Sequence, residues 1–527
     1  ETVLLGVYQG LVSDAMYGMN LSILLNLATD CEHVEGNTTE NWRIVPTNAF
    51  NSSQAEIQQT WAGLYKAIYN ANDFIETLSQ RMKAYNETDK QLAYIYLAEA
   101  RTIRSICYFE LVRRYGNVPL METTAMSEQA PSTFVQEKPE VIYQFIEKDL
   151  TYACQVLPYA TEDVQRTNTK YRLSKGAALG LLTKVYATWA GYPVKDESKW
   201  EEAAKTAKVL VESRKHALLN DFETLWENTC NGKWDPTESL IEISFYSPTA
   251  SSGASDPCGR IGKWNGVKAT MIAGERGSNA GNVKVIHPFV LKWRNKDLKE
   301  GETYHEDNVK DKRLALSVAN YIYNPGRKLC TQGRSDSDEK ALEDDRLPEM
   351  KNKEKQGYTP AKWDIEKYCQ NKLINNDKSN VNWYFLRYAD VLLLYAEALN
   401  EWKGYPTTEA YEAINEVRRR AYGSNEYDLK GLSYEAFRQA VKDERAYELA
   451  FEGHRRMDLV RWGIYYKTVK ETYNAINRWF EDPSPEKNKP FNTAGRYTKL
   501  GKHELLPIPQ RDMDLCEKFV QNPGWEQ

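Results

Sequence analysis

Apolar residues recur at helical spacing through the first part of the chain. In QAEIQQTWAGLYKAIYNANDFIETLSQ they return every three or four positions, which is typical of one face of an amphipathic helix. That face comprises Ile57, Trp61, Leu64, Tyr65, Ile68 and Ile75. A second helix is predicted over QLAYIYLAEARTIRSICYFELVRRYG, where Gly116 and Pro119 form a stop signal. The two segments predict an antiparallel helical hairpin.

The same pattern continues to about residue 214. Helices are predicted at about 138–157 and 172–190, and from Ser198 to about Arg214. In length and in the placing of Trp, Tyr and Ala, these pairs resemble degenerate tetratricopeptide hairpins. Three to four such units are counted in the chain, and the third is expected to be split by an insertion.

Helical periodicity is absent between residues 226 and 380. This stretch is rich in Gly, Ser, Asn and Pro, with one strand predicted at 239–246. Its tryptophans and tyrosines indicate order, because disordered chains are poor in aromatic residues. Irregular segments of this length usually carry binding loops. The sequence therefore predicts a mainly α fold of about four tetratricopeptide-like hairpins with little strand. Its regions are 1–225 (helical), 226–380 (loop-rich insertion) and 381–527 (helical), within one compact fold.

Helices are expected to resume within VNWYFLRYADVLLLYAEALNEWKGYPTTEAYEAINEVRRRAYG. One apolar stripe is predicted there, with Leu386 and Leu393 on a second face. The stripe comprises Phe385, Tyr388, Ala389, Leu392, Tyr395, Ala396 and Leu399. A helix that is apolar on two sides is expected to lie between neighbouring helices.

Charge and hydropathy exclude two classes of protein. The net charge of -5 over 527 residues argues against a nucleic-acid partner. No apolar run approaches the roughly 20 residues that a membrane-spanning helix needs, and the run VLLLYAEAL already contains Glu397. The chain is therefore expected neither to bind nucleic acid nor to cross a membrane.

Metal and disulfide chemistry have little support in the sequence. The eight cysteines form no CxxC or zinc-like spacing, and no two histidines stand four residues apart. Neither a metal nor a cofactor is expected. Cys230 and Cys258, or Cys330 and Cys369, could form disulfides that close loops, and the sequence does not decide between them.

The segment ERAYELAFEGHRRMDLVRWG, residues 444–463, is crowded with charge and could hold an acid and a base. At helical spacing, however, Glu452 is four residues before Arg456, and Asp458 is three before Arg461. Arg445 stands three before Glu448 in the same way. Since pairing with arginine lowers carboxyl pKa values, a structural ion-pair network is favoured over a general acid.

Three long segments together resemble the SusD/RagB family, the surface glycan-binding lipoproteins of Bacteroidetes. They are YFLRYADVLLLYAEALNE (384–401), the charged segment 444–463, and LLPIPQRDMDLCEKFVQNPGW (505–525). WAGLYKAIYNANDFIETL and EARTIRSICYFELVRRYGNVPL in the first half also match the family pattern. The third segment is expected to turn at Asn522, Pro523 and Gly524, so that Trp525 packs back onto the fold.

The resemblance implies a function as well as a fold. Family members bind oligosaccharides without cleaving them and cover a SusC-like TonB-dependent transporter of the outer membrane. They are exported lipoproteins, held at the cell surface by an N-terminal lipidated cysteine that is not present in this sequence. A RagB-type branch is associated with peptides. The resemblance thus implies a non-catalytic capture protein whose partners are a glycan and a SusC-like transporter.

Sugars present flat C–H faces and a rim of hydroxyls, so a glycan site needs exposed aromatic rings beside polar side chains. Two regions supply both kinds of residue: the loop at 30–51 and the insertion. The candidate ligand-binding residues are Asp30, Trp42, Arg43, Asn48, Trp264, Trp293 and Tyr321, with Phe50 and Tyr323 beside them. Two alternatives stay open: peptide capture, and a helical glycoside hydrolase, which needs only two suitably spaced carboxylates.

Overall fold

Helices account for about 53% of the chain in a computed structural model. The structure describes residues 1–34, 41–166, 168–247, 258–272, 277–302, 308–324, 327–330, 358–370, 378–479 and 493–526. The expectation of a mainly α fold with little strand is confirmed.

The first helical region contains a series of long helices. Its elements are α1 (Thr2–Gln9), β1 (Glu32–Val34), α2 (Asn41–Ile44), α3 (Ala55–Arg81), α4 (Glu87–Tyr115), α5 (Thr124–Ser127), α6 (Pro139–Val156), α7 (Lys175–Trp189), α8 (Lys199–Ser213) and α9 (Phe222–Cys230). Ile57, Trp61, Leu64 and Ile68 of α3 are buried, as the apolar stripe predicts. Asn86 caps α4 by accepting the amide of Asp89.

Short strands and helices follow α9 in the chain. They are β2 (Ser239–Ile243), β3 (Val283–Val285), α10 (His287–Asn295), α11 (Arg313–Ser317), β4 (Val318–Ala319), β5 (Tyr321–Asn324), β6 (Arg327–Cys330), β7 (Thr359–Pro360), α12 (Ile365–Tyr368) and β8 (Trp383–Arg387). The strands pair antiparallel as β1 with β3, β2 with β8, β4 with β7, and β5 with β6.

The remaining helices are α13 (Tyr388–Lys403), α14 (Thr408–Tyr422), α15 (Tyr434–Glu448), α16 (Arg455–Arg461), α17 (Tyr465–Trp479), α18 (Thr493–Tyr497) and α19 (Gln510–Leu515). Successive helices pack in one series: α3 on α4, α4 on α6, α6 on α7, α7 on α8, and then α8 on α13. The contact between α8 and α13 joins the two helical regions across the insertion, so the chain builds one continuous helical stack.

The prediction that Phe385 and Leu386 belong to the helix is wrong. Both residues lie in β8, which pairs with β2 and is buried along its whole length. A strand that is covered on both faces reads as a continuous apolar run, which periodicity alone does not distinguish from a buried helix. The helix begins at Tyr388, directly after the strand.

The charged segment 444–463 is interrupted rather than continuously helical. Helix α15 ends at Glu448, and the turn before α16 has positive φ at Phe451 and at Gly453, where an added Cβ would lie 2.5 Å from Asn26. Glu452 therefore does not pair with Arg456. Its carboxylate instead receives hydrogen bonds from Arg387 at 2.7 and 2.8 Å and from Lys362 at 2.7 Å.

A buried ion-pair network surrounds Arg387, which is 1% exposed. Its guanidinium contacts Glu238 at 2.6 Å and Glu448 at 3.1 Å in addition to Glu452. Burial alone raises a carboxyl pKa, but the charges of Arg420, Arg387 and Arg313 outweigh it and lower the pKa of Glu448 to about 2. The expectation of a paired structural network is confirmed, although most partners come from other elements.

Residues 505–525 bind the first hairpin and the loop before it. The amide of Leu506 donates to the carbonyl of Arg114 at 2.7 Å. The side-chain amide of Asn522 donates to the carbonyl of Tyr115 at 2.8 Å. Trp525 stacks on Phe50 with 5.1 Å between ring centroids. Trp525 thus packs back as predicted, and Phe50 belongs to the core rather than to a ligand surface.

Candidate functional site

A two-stranded sheet brings the early loop and the insertion together. In the pairing of β1 with β3, Glu32 lies opposite Val285. The amide of Val283 donates to the carbonyl of Trp264 at 3.0 Å, so residues 258–272 lie beside the same sheet. Two segments more than 200 residues apart in sequence are thereby held next to each other.

Trp42 of α2 and Trp264 of the insertion are in direct contact. Their ring centroids are 4.5 Å apart and their planes meet at 47°. Both side chains are half-buried and pack on the main core. The two indoles therefore form one aromatic surface, here called the tryptophan pair. It packs on the hydrophobic core and is partly exposed to solvent.

A guanidinium lies over each ring of the tryptophan pair. The Arg43 guanidinium carbon is 4.4 Å from the Trp42 ring centroid, and that of Arg260 is 4.9 Å from the Trp264 centroid. Asp14 orients Arg260 through a contact of 3.1 Å. The sequence reasoning missed Arg260, although it stands four residues before Trp264 and its carbonyl accepts the Trp264 amide at 2.9 Å. Its spacing of one helical turn was the available signal.

Tyr321 and Tyr323 lie on β5, beside the segment that carries Trp264. The amide of Thr270 donates to the carbonyl of Tyr323 at 2.9 Å. Both tyrosine hydroxyls donate to Asp364, at 2.8 and 2.9 Å, and burial raises the pKa of each phenol. Asp364 also caps α12, and no local pattern in the sequence marks it as a partner of the tyrosines. The two half-buried tyrosines pack against a small cluster that includes Val267, which follows Trp264 by three positions.

Asp30 and Asn48 support the early loop. Asp30 receives hydrogen bonds from two guanidinium nitrogens of Arg455, Nε at 2.8 Å and Nη2 at 2.6 Å. Burial raises its carboxyl pKa, but the charge of Arg455 prevails and holds that pKa below its ordinary value. Asn48 is 2% exposed, has a positive φ, and donates to Tyr465 and to Thr498 at 2.8 Å each. Its side chain is inside the fold, which corrects the expectation that it faces a ligand.

The expectation that Trp293 offers an exposed ring is also wrong. Trp293 lies on α10 with 1% of its surface exposed, and its indole N–H donates to Asp311 at 3.0 Å. Its ring packs against Tyr447 at 5.1 Å. The apolar pattern of residues 287–295 is that of a core helix, so this tryptophan contributes to stability rather than to a surface.

A separate cavity of about 450 Å³ lies between α3 and residues 511–519. Trp61, Tyr65 and Tyr69 line one wall, and Phe134 and Phe519 are also part of its lining. Neither member of the tryptophan pair contributes to it. The cavity is a second aromatic surface that could bind a ligand. A binding experiment on the tryptophan pair therefore needs a control variant in this cavity.

Two kinds of structural feature are absent from the described part of the chain. There, no group of three or more His, Cys, Asp or Glu side chains is placed to hold a metal ion. None of the helices among the described residues is long and apolar enough to cross a bilayer.

Two family descriptions match this chain. Residues 2–187 match "Starch-binding associating with outer membrane". Residues 223–525, more than half of the sequence, match "SusD family". The chain belongs to the SusD family. The resemblance expected from its three long motifs is thereby confirmed.

Several relatives of this SusD-family chain cover almost its full length. A SusD homolog from Bacteroides thetaiotaomicron is 60% identical, covers 99% of this chain and 96% of its own, and superposes with a TM-score of 0.91. SusD-like protein P25 from Formosa agariphila is 25% identical over 99% of this chain and 91% of its own. Surface glycan-binding protein A from Bacteroides thetaiotaomicron, in complex with laminarihexaose, is 18% identical with a TM-score of 0.70, covering 99% and 98%.

Glu32 gives this SusD-family chain a testable pH dependence. It is 4% exposed, and burial, partly opposed by Lys362 and reinforced by Asp30, raises its pKa to about 8. The folded state therefore keeps a proton that the unfolded state releases above about pH 4.5. The protonated Glu32 side chain therefore contributes to the free energy of unfolding in full below about pH 4.5. This contribution is lost as the pH rises to about 8.

Glu32→Gln, which mimics the neutral acid, is therefore expected to gain stability relative to the parent on the order of 4 kcal/mol between about pH 5 and about pH 8.5. Urea unfolding at the two pH values measures the change. Glu471→Gln, at a side chain that is 66% exposed, is the control and should show no such trend. Equal effects of Glu32→Gln at both pH values would contradict the prediction.

Proposed function

We propose that this SusD-family protein binds an oligosaccharide at the cell surface, does not cleave it, and delivers it to a SusC-like TonB-dependent transporter. The tryptophan pair is the proposed centre of the binding surface. Arg43 and Arg260 are proposed to bind hydroxyls at its edge, and the strand with Tyr321 and Tyr323 extends it.

The contact between Trp42 and Trp264 carries this proposal. A pyranose ring has a flat C–H face that packs on an indole, while its hydroxyls need donors and acceptors at the rim. Two half-buried indoles 4.5 Å apart, each with a guanidinium over its ring, supply aromatic surface and hydrogen-bond donors together. Because the backbone hydrogen bonds around β3 fix Trp264, little ordering is left to offset the binding energy.

The relatives support a carbohydrate as the ligand. One match is described as starch-binding, and the surface glycan-binding protein of the same fold was solved with laminarihexaose. The two names refer to glucans of different linkage, so we propose an oligosaccharide without specifying its linkage. The description "associating with outer membrane" likewise supports a position at the outer membrane, and lipid anchoring is part of the proposal.

Binding without cleavage is proposed because two carboxylates near the site, Asp30 in the early loop and Asp14 beside Arg260, are already paired. Asp30 is bound by Arg455, and Asp14 is bound by Arg260 at 3.1 Å and lies 3.5 Å from Lys378. A glycosidase needs one carboxyl with a raised pKa to donate a proton to the leaving oxygen. The carboxyl of Asp30 has a lowered pKa, which is the opposite requirement. Glu32 has a raised pKa, but its side chain is only 4% exposed and is enclosed by the fold.

Isothermal titration calorimetry tests the proposal directly. The protein is titrated with laminarihexaose and with a starch-derived oligosaccharide of similar length, and each mixture is then chromatographed for shorter products. We expect saturable heat with at least one glycan and no shortened product. Turnover would overturn the non-catalytic claim. Binding of peptides but of neither glycan would instead favour the RagB-like alternative.

A further inference from the structure

Two cysteines from distant parts of the chain lie against each other. Cys230 is the last residue of α9, and Cys369 follows the last residue of α12. The Cys369 thiol donates a hydrogen bond to the carbonyl of Cys230 at 3.2 Å, across 139 positions of sequence. Cys230 is 7% exposed and Cys369 is half-buried.

Hydrogen bonds on both sides of Cys369 fix this juxtaposition. The side chain of Asn231 donates to the carbonyl of Tyr368 at 2.8 Å and accepts the amide of Gln370 at 2.9 Å. The Tyr368 hydroxyl donates to Glu223 near the start of α9 at 3.1 Å. The backbone of Cys369 is therefore held beside the end of α9 by contacts that do not involve sulfur.

The structure also bears on the two pairings that the sequence left open. The thiol of Cys258 donates to the side chain of Asn380 at 3.1 Å, whereas the thiol of Cys369 donates to the carbonyl of Cys230. Burial, followed by the neighbouring Cys369 thiol, raises the pKa of the Cys230 thiol. The side chain of Cys330 lies outside the described residues. Cys230 is thus placed next to Cys369 rather than next to Cys258.

We propose that Cys230 and Cys369 form a reversible disulfide when the protein meets a disulfide oxidant. The bond would covalently link residues 358–370 to helix α9. These residues include Asp364, which caps α12 and accepts hydrogen bonds from both tyrosine hydroxyls. Its formation does not depend on the ligand that the protein binds. It follows only from the positions of the two thiols.

The exchange proceeds in two balanced steps. The thiolate of half-buried Cys369 attacks a low-molecular-weight disulfide such as oxidised glutathione, forming a mixed disulfide and releasing one glutathione thiolate. The Cys230 thiol then loses its proton and its sulfur attacks the Cys369 sulfur, releasing the second glutathione. The two cysteines are oxidised by two electrons, and one glutathione disulfide is reduced to two thiols. Cys369 is the entry point because Cys230 is buried.

Peptide mapping of the full chain tests the proposal. The protein is incubated with oxidised glutathione, its remaining thiols are alkylated, and it is digested without reduction. We expect a cross-linked peptide pair containing Cys230 and Cys369 that disappears after dithiothreitol. We also expect the melting temperature of the oxidised form to exceed that of the reduced form, because the bond closes a long loop in the unfolded chain.

Single variants separate the two steps. Cys230→Ser should accumulate glutathione on Cys369, whereas Cys369→Ser should leave Cys230 unmodified. Cys154→Ser, at another half-buried cysteine, is the matched control and should leave the yield of the cross-link unchanged. Alkylation of both cysteines in oxidised wild-type protein, or a link from Cys369 to any other cysteine, overturns the proposal. The wild-type map decides this even where a variant fails to fold.

Discussion

Replacing Arg387 with leucine is expected to lower the free energy of unfolding by about 3–5 kcal/mol, or to prevent folding. The substitution leaves Glu238, Glu448 and Glu452 buried without the guanidinium that contacts all three. The cost arises because each carboxylate has already given up its hydration and loses a partner that compensates for it. Urea unfolding, monitored by circular dichroism, measures the change in the free energy of unfolding.

The control for this experiment is another arginine whose ion pairs are exposed. Arg419 contacts Glu412 at 2.6 Å and Asp428 at 2.7 Å, but its side chain is 38% exposed. Arg419→Leu is expected to cost no more than about 1 kcal/mol, because water already screens these pairs. Similar decreases in the free energy of unfolding in both variants would show that burial does not determine how much the Arg387 network stabilises the fold.

Replacing Trp264 with alanine is expected to weaken oligosaccharide binding by about 10- to 100-fold, equivalent to about 1.5–3 kcal/mol. The substitution removes half of the tryptophan pair and exposes the Arg260 guanidinium to water. Trp42→Ala should act in the same direction. Because the two rings contact each other, the double variant should lose less than the sum of the single losses. Calorimetric titration of all three variants measures the affinities.

Two controls locate the effect. Trp402→Ala removes a half-buried tryptophan that also lies beside a cation, with Lys403 at 3.4 Å from its ring, and should not change affinity. Tyr69→Ala alters the wall of the separate 450 Å³ cavity. If Tyr69→Ala abolished binding while Trp264→Ala did not, the ligand would occupy that cavity and the tryptophan pair would be refuted as its site. Melting temperatures of all variants exclude unfolding as the cause.

The helical part of the fold was predictable because its signal is local. A buried face repeating every 3.6 residues, as in α3, is encoded within a few turns of the chain. Strand β8 was misread because it is covered on both faces and has no alternation to report. Apart from β5 with β6, the short strand pairs join residues far apart in sequence, and no local pattern encodes such a pairing.

The charged segment shows the same limit more sharply. Spacing correctly predicted that Asp458 pairs with Arg461, at 2.9 Å, because both lie on α16. It failed for Glu448 and Glu452, whose arginine partners are supplied by other elements, and for Arg445, which binds Asp390 and Asp458. Neighbours on one helix can be read from sequence, whereas partners across a core require the tertiary structure.

The candidate site divides along a similar line. Residue type and position identified Trp42, Arg43 and Trp264 as ligand candidates, but only the sheet between β1 and β3 places the two tryptophans in contact. Residue type could not distinguish an exposed ring from Trp293, which is enclosed by the core. It also could not reveal that Asn48 turns inward to hold the loop.

The contacts between residues 505–525 and the first hairpin can form only at the end of translation. Asn522 follows its partner Tyr115 by 407 positions. At about 5–20 residues per second, a ribosome needs roughly 20–80 s to make the chain between them. Throughout that interval Trp525 has not been made, so Phe50 lacks its stacking partner. The loop that carries Trp42 and Phe50 therefore lacks one of its packing contacts. The proposed binding surface is therefore expected to be completed late, after the helices around it have been made.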